Sequence, residues 1–76
     1  MAFDPTGRHP ATVQIMRWFV WEHLRPGLPQ EISMLCARTA EDMAENLPDG
    51  PELTTGLRKL LEAKDCFVRE AVATID

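Results

Sequence analysis

The chain is poor in cysteine, with two, Cys36 and Cys66, among 76 residues. Two thiols cannot build the disulfide framework of a small secreted domain. They form no Cys-x-x-Cys pair, and His9 and His23 do not stand from them at zinc-finger spacing. Long apolar runs are missing as well. No stretch approaches the roughly 20 apolar residues that a membrane span requires. The first ten residues carry Pro5 and Pro10 and no apolar block, so no signal peptide is read there. A cytoplasmic address with reduced thiols is the expectation. Motifs of catalysis are absent too. There is no His-Glu-x-x-His, no calcium loop and no phosphate loop. Neither cysteine has a neighbouring His or helix start to activate it, and both are expected as buried free thiols. No catalytic residue, cofactor or metal is therefore expected, and the chain is read as a non-enzyme.

Positive charge is also scarce. Eight Lys and Arg face twelve Asp and Glu, a formal net charge of −4. Phosphate neutralisation supplies most non-specific affinity for nucleic acid, so polymeric DNA or RNA is not an expected partner. A local basic pocket for a small anion remains compatible with this balance. No internal repeat and no run alternating with period two is present, so no strand is expected.

What is present is helical periodicity. The chain reads as one all-α domain over residues 1–76: a short N-terminal helix followed by an antiparallel helical hairpin. An irregular arm over 1–9 holds Phe3, whose ring is expected to dock on the body or on a neighbour. Pro10 suits the first turn of a helix, where its missing N–H costs nothing. Val13, Met16, Val20 and Leu24 then recur at spacings of three and four, widened by Ile15, Trp18 and Phe19, which predicts a helix over 10–25. Pro26 ends it.

A second helix is predicted over 29–47, with Leu28, Ile32, Leu35, Cys36, Met43 and Leu47 on its apolar side. Arg38 and Asp42 are four apart and expected to pair. The punctuation Asn46-Leu47-Pro48-Asp49-Gly50-Pro51-Glu52 closes the hairpin. Asp49 and Glu52 stand at capping-box spacing, with Asp49 as the expected N-cap of a third helix over 50–75. Leu53, Leu57, Leu60, Leu61, Phe67, Val68, Ala71, Val72 and Ile75 trace that helix's apolar face. So short a link makes its two helices antiparallel neighbours.

Some residues invite chemistry. Arg8 and His9 precede a helix start, where free N–H groups favour anions. Trp18 and Trp21, three apart, are expected on one helix face, either as a stacking platform or, for at least one of them, as core. The third helix holds Arg58, Lys59, Lys64 and Arg69. Arg58 is expected to pair with Glu62 and Arg69 with Asp65, which leaves Lys59 and Lys64 as the available cations. A chain this short buries only about 60 % of its unfolded surface, and its core is thin. Self-association into a homo-oligomer, with the first helix at the contact, is the expected remedy.

Three segments carry a resemblance: His9-Pro10 ahead of a helix, Asn46-Leu47-Pro48-Asp49 with Glu52, and Gly56-Leu57-Arg58-Lys59-Leu60-Leu61-Glu62-Ala63. Over His9 to Ala71 the chain resembles a family of small bacteriophage helical-hairpin proteins, the anti-CBASS and anti-Thoeris sponges. These anti-defense proteins sequester cyclic nucleotide signals of bacterial immunity without cleaving them. The resemblance implies a cyclic di- or trinucleotide ligand held at a subunit boundary in the cytoplasm of a bacterial host. Arg8, His9, Trp18, Arg58 and Lys59 would be its binding residues. The chain departs from the family pattern in three places, one of them a first helix that, with Trp18 and Trp21, is more apolar than usual. Arg8 stands where an aromatic residue is common, and Cys66-Phe67-Val68 stands where Trp and Asn are common. The alternative function is a small helical module that binds a host protein through its apolar surface.

Overall fold

The computed structural model describes residues 3–75. Three helices make up the fold: α1 (Pro10–Met16), α2 (Leu28–Asn46) and α3 (Pro51–Ile75). No strand occurs among the described residues. α2 and α3 form the expected antiparallel hairpin, and α1 packs across both.

Before α1 the chain makes a β-turn over residues 5–8, closed by Arg8 N–H donating to the Pro5 carbonyl at 3.1 Å. Gly7 sits in it at φ +74°, a left-handed conformation that costs glycine least. The turn folds Phe3 back into the core, where its ring is buried. His9 is the N-cap of α1: its Nδ1 accepts from the Ala11 N–H at 3.0 Å.

α1 ends nine residues short of its predicted limit. After Met16 the hydrogen bonds tighten to i→i−3, from Trp18 to Ile15 and from Phe19 to Met16. The run Trp18-Phe19-Val20-Trp21 is rich in aromatic and β-branched residues, which are weak helix formers. Tertiary donors then replace the missing helical bonds. Lys64 Nζ donates to the Trp18 carbonyl at 2.8 Å, Ser33 Oγ to Val20 at 3.3 Å, and Gln30 Nε2 to Leu24 at 2.8 Å. A backbone whose carbonyls are met in this way has no need of a helix. Phe19 becomes fully buried and Trp21 packs at the core's edge. Trp18 is 65 % exposed. The two indoles therefore do not share a helix face.

Gly27 starts α2 with φ +142°, a conformation that L side chains rarely adopt, and its carbonyl accepts from Glu31 N–H at 3.0 Å. At the other end Leu47 is extended, as the residue before Pro48 must be. Both ends lie one residue from the prediction.

The hairpin seam departs more from expectation. α2 turns Ser33, Cys36, Ala37, Ala40 and Ala44 inward, while Leu28, Leu35, Met43 and Leu47 are exposed. These leucines sit one helical strip away from the buried alanines. On α3, Leu53, Leu57 and Ala71 are buried, whereas Phe67, Val72 and Ile75 are exposed. Ile15, Met16 and Phe19 fill the space above the alanines and meet Leu53 and Leu57. Small residues on α2 thus let the α1 region come close, and the large α2 residues are left on an uncovered flank.

Candidate functional site: a groove between α1 and α3

Asp49 is the organising residue at the hairpin turn, in a role the capping-box spacing did not indicate. α3 begins at Pro51, and the Gly50 carbonyl accepts its first N–H, from Thr54 at 3.2 Å. That leaves Asp49 one position outside the cap. Its carboxylate points instead at the start of α1. It accepts from Arg8 Nε at 3.2 Å, from the Thr12 hydroxyl at 2.7 Å and from the His9 N–H at 3.0 Å. The bond from Arg8, then those from Thr12 and His9, hold the carboxyl well below the usual aspartate range.

Arg8 completes the knot. Nη1 donates to the Ala44 carbonyl at 2.6 Å and Nη2 to the Leu47 carbonyl at 3.3 Å. The Ala44 carbonyl lies in the last turn of α2 and the Leu47 carbonyl at its C-cap, where a cation is electrostatically favoured. The guanidinium also lies 5.7 Å from the Phe3 ring centroid. Expected from the sequence as an anion contact, Arg8 has its donors committed to the fold instead. His9 likewise uses Nδ1 within its own helix start, so the neutral ring carries its proton on Nε2.

Between α1 and α3 runs a groove with two continuous parts of about 420 and 340 Å³, which share Ala11 and Thr54. His9, Asp49 and Pro51 line one end, and Gln14, Thr55, Arg58, Lys59 and Glu62 line the other. Arg58 and Lys59 are exposed and make no hydrogen bond or ion pair with another described residue. The expected Arg58–Glu62, Asp65–Arg69 and Arg38–Asp42 pairs do not close. Among the described residues the ion pair that forms is Arg8–Asp49. Lys64, expected as an available cation, is held by the Trp18 carbonyl and lies 5.8 Å from the Phe19 ring centroid.

The structure therefore brings His9, Arg58 and Lys59 onto one groove and puts Arg8 behind it, in the turn. Trp18 lines neither part of the groove. Sequence reasoning did not pick out Gln14, Thr54 or Thr55. Threonines and glutamine at helical spacing carry no signal until the partner helix is known. An anion in this groove would meet Arg58 and Lys59 at one end and the paired Asp49 at the other, so the cationic end is where charge favours it. The Gln14 side chain accepts from Arg17 at 3.1 Å, which leaves its amide N–H groups as donors.

The two thiols differ. Cys36 is buried in the hairpin, and burial pushes its thiol pKa up, with Lys64 opposing. Cys66, expected to be buried, is exposed and accepts from Arg69 at 3.5 Å. Among the described residues no three His, Cys, Asp or Glu side chains gather as a metal set. No helix of the described chain is long and apolar enough to cross a membrane. No protein family, curated protein or solved structure matches the chain.

Proposed function

We propose that the chain binds a small polyanionic, base-bearing ligand of the cyclic di- or trinucleotide class and releases it unchanged, as a phage anti-defense sponge would. The observation that carries this reading is the pair of exposed, uncommitted cations, Arg58 and Lys59, beside the groove between α1 and α3. The resemblance over His9 to Ala71 agrees with it. Arg58 offers a planar fork suited to a phosphate, and Lys59 a mobile point charge. Gln14, Thr54 and Thr55 add neutral hydrogen-bonding groups, and His9 adds an Nε2–H at the far end. Trp18, exposed but outside the groove, could stack on a base only if a second copy carried it there. Arg8 holds no place in this reading, because its charge and donors are spent on Asp49 and α2.

Calorimetry against a panel of cyclic di- and trinucleotides tests it. The wild type should bind at least one of them. Arg58→Ala should weaken that binding by roughly ten- to hundredfold, the loss of one charge-assisted contact. The ligand should be recovered intact after the protein is denatured. No heat with any of the panel would overturn the reading and turn attention to a host protein as the target.

A further inference from the structure

One residue supplies every acceptor for the first turn of α1. Pro10 brings no N–H, so the first groups that need partners belong to Ala11, Thr12 and Val13. The His9 carbonyl accepts from Thr12 N–H at 3.0 Å and from Val13 N–H at 3.1 Å. Its Nδ1 accepts from Ala11 N–H at 3.0 Å. Helix caps are ordinarily oxygens of Ser, Thr, Asp or Asn, which remain acceptors throughout the neutral range. Imidazole does not. Nδ1 accepts only while the ring is neutral with its proton on Nε2, and both nitrogens of the cation are donors. Histidine is also the side chain whose charge ordinarily changes between about pH 5 and 8. α1 has 7 residues, too few to stand without its caps and packing, so one lost cap bond weighs on it heavily.

The surroundings do not make up for that bond. Arg8, the preceding residue, and the N–H groups of α1 put positive charge beside the ring. Asp49 is the other titratable residue lining this end of the groove. Its carboxylate is already shared among Arg8, the Thr12 hydroxyl and the His9 N–H. An attraction to Asp49 would hold the cation without restoring the bond to Ala11. The rest of this end, from Ala11 and Thr12 on α1 and from Gly50, Pro51 and Thr54 across the groove, carries no charge.

We infer that His9 is a proton-operated cap. Neutral, it holds the first turn of α1 through Nδ1. Protonated, it releases Ala11 and adds a positive charge to the groove whose other end holds Arg58 and Lys59. The start of α1 and the charge of the groove therefore change together as pH falls. The cap stands apart from the ligand reading above, because the chain forms it alone.

Nuclear magnetic resonance of the whole chain, without ligand, tests the inference between about pH 8 and 5. At the upper end the His9 ring should carry its proton on Nε2, and a scalar coupling should cross the Ala11 N–H···Nδ1 bond. As the ring titrates, that coupling should vanish. The Ala11 amide should lose about fivefold of its protection from exchange, after correction for the intrinsic effect of pH, which is the worth of one cap bond. Ala11 resonances would shift beside any histidine that gains a charge, whereas coupling and protection report the bond itself. His9→Asn puts a strong cap that does not titrate in the same place, so the fold is kept and Ala11 should stay protected across the range. His9→Ala should leave Ala11 unprotected at every pH. Titration of His23, on the segment after α1, should leave Ala11 unchanged. A neutral His9 ring with its proton on Nδ1 would overturn the inference. So would an Ala11 amide whose protection does not follow the His9 ring.

Discussion

The guanidinium of Arg8 stands 3.0 Å from the carboxylate of Asp49, 41 positions along the chain. Through this pair the N-terminal arm, the start of α1 and the end of α2 are tied together. A lysine cannot reproduce the fork that reaches Asp49 and two carbonyls at once. Arg8→Ala, Arg8→Lys and Asp49→Ala should each lower the melting temperature. The double variant Arg8→Ala/Asp49→Ala should lose less than the two single losses added together, because both remove one interaction. Additive losses in thermal melts would show that the two residues act separately.

The same pair sets an acid dependence. Asp49 is held below its ordinary value of 3.8, so its contribution to stability is full above that value. It is lost as pH falls through the depressed native value, where the folded state must also take up the proton. The gap in melting temperature between wild type and Asp49→Asn should therefore be constant from about pH 7 to 5 and narrow below about pH 4. A gap that widened on acidification would contradict the assignment.

Burial separates residues that look alike in sequence. Leu57 is 2 % exposed and Val72 is 40 % exposed, although both lie on the predicted apolar face of α3. Leu57→Ala should cost about 2–5 kcal/mol, by lost transfer free energy and the cavity left behind. Val72→Ala, at an exposed position, should stay within about 0.5 kcal/mol. Urea titration of the two variants distinguishes them.

Thiol reactivity offers an independent check on the hairpin. Cys66 is exposed and should react with a soluble disulfide reagent at once. Cys36 is buried with a raised pKa and should react slowly, gaining speed only as urea opens the fold. Two equally fast thiols in buffer would mean that the seam around Cys36 is drawn wrongly.

By itself the sequence determined the elements that local chemistry controls. Proline and glycine punctuation placed α2 and α3 to within a residue, and the short link between them required an antiparallel hairpin. Lys59 was legible as an available cation, whereas Arg58 was expected to pair with Glu62 and entered the candidate site through the family resemblance. Its lack of a partner among the described residues is a finding of the structure. Tertiary structure decided the rest. α1 stops at Met16 because Lys64, Ser33 and Gln30 supply donors to carbonyls that a longer helix would have satisfied internally. Periodicity is blind to a donor 46 positions away. Arg8 left the set of available cations, and Asp49 left the cap, because each found the other across 41 positions. The seam of α2 fell on alanines rather than leucines. A hydrophobic stripe shows which side of a helix avoids water, but not which of two adjacent strips meets its own chain. That choice rests on how closely Phe19 and Met16 can approach, and small residues permit the closer approach.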